Sequence, residues 1–159
     1  MQTKEQATER INLLLQVNHD APLGHLEKIV DRTLLDLNVE ERWVDYEFDI
    51  PLTAQNSINT THGGFLAAMA DAGMSIGARG LLGKTGLVTA TLDISVNAIV
   101  AMRVGDHIRM RCRLVHVGKR TILASAEYYR GDELCTMVTS NYMLLPETHV
   151  KFTDWSLEG

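Results

Sequence analysis

One carboxylate, Asp71, lies within a stretch of mostly small and apolar residues that runs from Gly63 to Gly83. An acidic side chain among such neighbours is costly unless it has a partner or a chemical purpose. An ionised carboxylate can take a proton from water or attack an electrophilic carbon, so a general base or a nucleophile is one interpretation. A carboxylate on the solvent side of a helix, or one satisfied by a backbone N–H, explains the pattern equally well.

The start of the same stretch, His62-Gly63-Gly64, has the composition of a site for a polarised carbonyl oxygen. The first N–H groups of a helix have no partner within the helix, and the helix dipole gives them a partial positive charge. Glycines let a ligand oxygen reach these N–H groups, which is how an oxyanion hole is built. The alternative is that the glycines only permit a tight turn and that His62 is a cap or a packing residue.

Hydrophobic periodicity predicts the helices that would position these groups. Residues 3–18 are predicted to form an amphipathic helix. A second, long helix is predicted from about 63 to 82, with Thr60 or Thr61 as its cap and Gly83 at its end. A buried helix of this kind would carry both the carboxylate and the glycine N–H groups.

The remainder of the chain has the pattern of β-structure. Residues 33–50 are predicted to form a hairpin with a turn at Glu40-Glu41, preceded by a short helix at about 23–30. Beyond Gly86, alternating apolar and polar residues with regular turn signals predict four antiparallel strands up to Leu145. Two strands, one long helix and four strands predict an α+β fold in which the sheet curls around the helix.

Composition argues against several classes of protein. The chain has 159 residues, which fits one domain, and its net charge of −5 provides no overall field for nucleic acid. The charges of Asp71 and Arg79 interrupt the apolar stretch, which argues against a membrane span. Cys112 and Cys135 suggest no disulfide framework, and no secretory signal is recognised, so a cytoplasmic location is expected. No histidines or cysteines have a spacing suited to zinc, so no metal is expected.

Asn56, His62-Gly63-Gly64 and Asp71 resemble the motif of the phenylacetate-type (PaaI-like) branch of the hot-dog thioesterase superfamily. The asparagine lies six residues before the histidine, and the aspartate lies nine after it. The resemblance covers about 33–146 and implies a hot-dog fold, an α+β arrangement with a curved antiparallel sheet wrapped around one long central helix. The domains predicted on this basis are an N-terminal helical appendage (1–30), a hot-dog thioesterase domain (31–148) and a C-terminal tail (149–159).

The resemblance implies that the chain is an enzyme that hydrolyses acyl-CoA thioesters. Asp71 is implied as the general base or nucleophile, and the Gly63 N–H as the donor that binds the thioester oxygen. The other implied site residues are Asn56 to orient water or the leaving thiolate, His62 to shape the loop, Thr89 to hold the carboxylate or water, and Gly64 and Ser75 to contact the substrate. A thioester suits so sparse a site because its carbonyl is electrophilic and its thiolate leaves readily.

The resemblance also implies the partners. Acyl-CoA is the expected substrate, and no separate cofactor is expected because coenzyme A is part of it; no nucleic acid or membrane partner is expected either. In the family the site lies across a dimer interface, so a homodimer with shared sites is implied, with a dimer of dimers as the larger assembly. Three arginines on one face of a predicted strand (Arg109, Arg111 and Arg113) are interpreted mainly as a solvated outer face.

Two other functions remain open at the level of the sequence. A hot-dog dehydratase acting on a hydroxyacyl thioester would use a histidine such as His62 to move a proton, although the aspartate nine residues later favours hydrolysis. A non-catalytic acyl-CoA sensor would use the same pocket without turnover. In a purely structural interpretation, Asp71 and the glycines only pack.

Overall fold

The computed structural model describes residues 2–20, 31–83 and 87–146. The helices are α1 (Lys4–His19) and α2 (Gly63–Leu82), and the strands are β1 (Thr33–Asn38), β2 (Trp43–Asp49), β3 (Leu87–Ala98), β4 (His107–Val117), β5 (Thr121–Arg130) and β6 (Glu133–Pro146). Two strands, a long helix and four strands follow one another as predicted. The helix predicted at about 23–30 and the tail predicted at 149–159 lie outside the described residues.

The strands form one antiparallel sheet in the order β1-β2-β4-β5-β6-β3. The last three strands in sequence, β4, β5 and β6, are direct neighbours because tight turns join them. The strand that follows the long helix, β3, pairs with β6 and forms an edge of the sheet. With α2 lying on one face of this sheet, the architecture is the hot-dog fold that the sequence predicted.

The inner face of the sheet packs closely on α2. Alternation along β4 buries its apolar residues Ile108, Met110, Cys112 and Leu114. A Cβ at Gly73 would clash with Met110 Cε and lie 3.1 Å from Cys112 Sγ, so the glycine lets the helix approach the sheet this closely. Within the parts of the chain that the structure describes, no helix is long and apolar enough to cross a membrane.

Three buried tyrosines attach α2 to the sheet. Each donates its hydroxyl hydrogen to a main-chain carbonyl of the helix: Tyr46 to Gly73 at 3.2 Å, Tyr128 to Leu66 at 2.7 Å and Tyr142 to Asp71 at 3.3 Å. A carbonyl oxygen has two lone pairs, so it can accept these bonds in addition to those of the helix. Because the tyrosines come from β2, β5 and β6, the bonds fix the position of α2 across the sheet.

The N-terminal helix α1 packs against the C-terminal turns of α2. Ala7 and Ile11 are fully buried. A Cβ at Gly80 would clash with Cγ1 of Ile11, so a glycine is needed for this contact. The segment predicted as a helical appendage is thus closely packed on the helix that carries the candidate site.

Candidate active site

Asp71 lies on the side of α2 that faces β3 and β6. Its Oδ1 accepts hydrogen bonds from the Thr91 hydroxyl at 2.7 Å and from the Tyr142 hydroxyl at 3.0 Å. The side chain is half-buried, and Oδ2 accepts no hydrogen bond from the residues that the structure describes. The carboxylate is therefore neither on the solvent side of the helix nor paired with a backbone N–H. One oxygen is held and the other is open, which is the arrangement that a general base or nucleophile needs.

The side chains between α2 and β3 meet in matched pairs. Asp71 is hydrogen-bonded to Thr91, and Ser75, one helical turn later, is hydrogen-bonded to Thr89. Four helix residues advance about 6 Å and two strand residues about 6.6 Å, so the two spacings coincide. Because the chain reverses direction between the elements, the earlier helix residue meets the later strand residue. The hydroxyl that contacts the carboxylate is thus that of Thr91, whereas Thr89 was predicted to hold the carboxylate or water; its contact with water stays a prediction.

The cap of α2 is His62. Its backbone has φ −66° and ψ 132°, and its ring Nδ1 accepts the Gly64 N–H at 3.0 Å. The predicted cap residues have other partners, since the Thr61 hydroxyl donates to the carbonyl of Met102 at 3.0 Å and Thr60 lies in the preceding loop. His62 therefore shapes the start of the helix, and the prediction of a threonine cap is wrong.

The N–H of Gly63 is the open donor at the start of α2. The N–H groups of Phe65 and Leu66 donate to the carbonyl of His62, and that of Gly64 donates to the His62 ring. Among the described residues, none accepts the Gly63 N–H. A Cβ at this position would meet nothing within 4 Å, and its φ is not positive, so the fold of this chain does not require a glycine here. The open N–H suits the role of an oxyanion donor.

The side chain of Asn56 closes the loop before α2. Its Oδ1 accepts the N–H groups of Ile58 and Thr60, both at 3.0 Å, and its Nδ2 donates to the Thr60 hydroxyl at 2.7 Å. These bonds form a compact turn that leads into the helix. The structure therefore gives Asn56 a part in shaping the loop, and the predicted contact with water or thiolate would use the remaining Nδ2 hydrogen.

Asp71 and Gly63 are far apart within one chain. They are eight residues apart on one helix, which places them about 12 Å apart along its axis. A base and an oxyanion donor acting on one carbonyl must each lie within about 3–4 Å of the reacting atoms. One copy of α2 therefore does not bring both groups to the same thioester.

Two arginines on the outer face of β4 contact side chains of the neighbouring strands. Arg111 makes hydrogen bonds of 2.8 and 2.7 Å to the buried carboxylate of Asp45, and its guanidinium lies 4.3 Å from the centre of the Trp43 ring. Arg109 stacks in the same way on Tyr129, at 4.4 Å. These contacts agree with the interpretation of an outer face and give no support for phosphate binding.

Comparisons with known proteins bear on the fold and on the family. The model of the family described as the thioesterase superfamily matches residues 58–136. The E. coli PaaI protein from the phenylacetic acid degradation operon has a TM-score of 0.73 at 13% identity, over 91% of this chain and 96% of that one. A phenylacetic acid degradation-related protein from Ralstonia eutropha has a TM-score of 0.72 at 19% identity, over 84% and 98%. A hypothetical thioesterase protein from Streptococcus pneumoniae, solved with coenzyme A, has a TM-score of 0.64 at 18% identity, over 72% and 86%. No curated protein matches the chain.

Proposed function

We propose, because the chain belongs to the thioesterase superfamily, that it hydrolyses acyl-CoA thioesters to a free acid and coenzyme A. The resemblance and the fold predicted from the sequence are confirmed by the family match and by the similar structures. The observation that carries the proposal is the carboxylate of Asp71, held at one oxygen and open at the other, on the helix whose first N–H is open. The similar structure solved with coenzyme A supports the choice of thiol.

The proposed reaction uses few protein groups. The open oxygen of Asp71 takes a proton from water as the water oxygen bonds to the thioester carbon, or the carboxylate itself attacks that carbon to form an anhydride that water then hydrolyses. The Gly63 N–H donates to the carbonyl oxygen as that oxygen becomes negative. In both routes the C–S bond breaks as the carbonyl re-forms, which in the nucleophilic route precedes hydrolysis of the anhydride, and the thiolate leaves and takes up a proton. No cofactor enters these steps.

We propose that each active site lies between two copies of the chain. The distance along α2 separates the two groups within one copy, so the Gly63 N–H that serves a given Asp71 would come from the partner. The edge strand β3 supports this assembly, because residues 91–95 are exposed and include Leu92 at 53% and Ile94 at 36%. Pairing of two such edges about a two-fold axis would continue the sheet and cover these side chains. The result is a homodimer with two shared sites.

Mixing two inactive variants tests the shared site. Asp71→Asn removes the carboxylate and Gly63→Pro removes the N–H, so each homodimer would have two defective sites. A mixed dimer would have one site with both defects and one intact site. After refolding at equal concentrations, random pairing is expected to restore about a quarter of the wild-type activity per subunit. The activity is measured by thiol release, with each variant refolded alone as the control, and no recovery in dimers proven to be mixed would rule out the shared site.

The proposed activity itself is tested with a panel of aryl, short-chain and long-chain acyl-CoA esters and a thiol-detecting dye. We expect thiol release well above the uncatalysed rate for at least one class of ester. Tight stoichiometric binding without turnover across the panel would indicate a sensor instead. A change in enoyl absorbance without thiol release would indicate a dehydratase. The dehydratase has less support because the Nδ1 of His62 already accepts the Gly64 N–H.

A further inference from the structure

Tyr142 differs from the other two tyrosines that bind α2. Its hydroxyl lies 3.3 Å from the main-chain carbonyl oxygen of Asp71 and 3.0 Å from Oδ1 of the same residue. Among the described residues, Tyr46 and Tyr128 each donate to one main-chain carbonyl of the helix and to no side chain. One hydroxyl thus bridges the backbone and the side chain of the candidate catalytic residue.

We infer that Tyr142 is a positioning residue for Asp71. The Tyr142 hydroxyl holds Oδ1 of the carboxylate, so that Oδ2 points toward the water or thioester. The inference rests on the proposed function, since it gives Tyr142 a role only through the carboxylate. Thr91 donates to the same oxygen from the neighbouring strand β3, where it is the cross-strand partner of Tyr142. With both donors on Oδ1, rotation of the carboxylate would break two hydrogen bonds.

The hydroxyl of Tyr142 stays protonated, so it always has a hydrogen to donate. Its side chain is 1% exposed, and burial, together with the adjacent charge of Asp71, raises the pKa of its hydroxyl. The hydroxyl therefore keeps its hydrogen across the range in which thioesterase activity is measured, and it cannot act as the base. Its single hydrogen is directed toward Asp71, where the main-chain carbonyl oxygen and Oδ1 are the acceptors.

The rigidity of the donor distinguishes Tyr142 from Thr91. The tyrosine ring is enclosed in the core between α2 and the sheet, so its hydroxyl is fixed by packing. Thr91 lies on the exposed edge strand. A catalytic group is held most accurately by neighbours whose own conformations are locked by packing, and Tyr142 meets that condition.

The variant Tyr142→Phe removes the donor and keeps the ring. We expect kcat for acyl-CoA hydrolysis to fall about 10-fold, with KM within about two-fold of wild type, because the carboxylate loses its orientation and the substrate site is otherwise intact. Tyr128→Phe and Tyr46→Phe are matched controls, since each removes one buried hydroxyl bonded to an α2 carbonyl. Both are expected to leave kcat unchanged.

A second measurement separates positioning from a general structural effect. In the background of Asp71→Asn, the change Tyr142→Phe is expected to leave the residual rate unchanged, because the group through which Tyr142 acts is already gone. In the background of Thr91→Val, the effect of Tyr142→Phe on kcat is expected to grow, because the carboxylate then loses both of the hydroxyl donors that the described residues provide. Thr91→Val itself changes only an exposed side chain, so the core is the same in the two backgrounds that are compared.

An unchanged kcat in Tyr142→Phe would overturn the inference, and so would an equal loss in Tyr128→Phe. A further loss of the residual rate in the double variant with Asp71→Asn would overturn it as well. The proposed function fails separately, by a different result, namely wild-type protein that releases no thiol or an Asp71→Asn variant with full kcat.

Discussion

Replacing Asp71 with asparagine is expected to lower kcat for acyl-CoA hydrolysis by about 10²–10⁴-fold, the usual contribution of a general base. Asparagine has the same shape and keeps a carbonyl oxygen that can accept from Thr91 and Tyr142, so the helix and its contacts with the sheet are expected to persist. What it lacks is the second, open carboxylate oxygen. Binding of a non-hydrolysable acyl-CoA analogue should therefore be close to that of the wild type.

Thiol release under saturating substrate measures this loss, and thermal unfolding checks the fold. Asp49→Asn is a suitable control because it changes an exposed carboxylate on β2 that is hydrogen-bonded to His107, away from α2. We expect that control to keep wild-type kcat. Wild-type kcat in Asp71→Asn itself would remove this carboxylate from the mechanism and favour the interpretation in which it only packs.

Gly63→Pro is expected to lower kcat by about 10²–10³-fold, as the loss of one oxyanion donor does elsewhere. Gly63 is the first residue of α2, where proline is well tolerated because its missing N–H has no partner in the helix. The preceding residue, His62, has ψ 132°, which is the extended conformation that a following proline requires. The substitution therefore removes the N–H hydrogen while leaving the helix intact.

Gly63→Ala is the matched control for this prediction. Both substitutions add a Cβ in the same open position, but only proline removes the N–H. We expect alanine to retain at least about 10-fold more activity than proline, and circular dichroism to show the same helix content in both. Equal kcat in the two variants would mean that the N–H does not stabilise the transition state and that only the space at this position matters.

The fold was predictable because its signals are local. The apolar and small residues of α2 and the glycine that follows it, Gly83, predict a helix whose predicted and observed bounds agree, and in the structure Gly83 has the positive φ that glycine favours. Alternation along β4 predicts its buried face in the same way. The prediction of a threonine cap failed because threonine is a common cap residue. A histidine ring is a rare cap, and the His62 ring accepts the Gly64 N–H because of the backbone geometry of this loop.

The neighbours of the carboxylate were harder to predict. Thr89 and Thr91 are both hydroxyl residues on the same face of β3, and only the alignment of that strand with α2 decides which one meets Asp71. Tyr142 was not predicted as a site residue, because it is far from Asp71 in sequence and its local pattern is that of an ordinary aromatic residue in a strand. A polar hydroxyl at a buried strand position is the signal that could have pointed to it.

The residues of α2 could be read without a structure: an acid follows a glycine at the helix start by eight residues, and the distance between the two along the axis follows from helix geometry. The donors that hold that acid, and the oxygen of the carboxylate that stays open, are known only once the chain is folded. Thr91 and Tyr142 reach it from two different strands, and the pairing of strands with a helix depends on register and on the direction in which the chain returns. Those are long-range properties, because they arise from packing between distant segments and leave no local pattern in the residues.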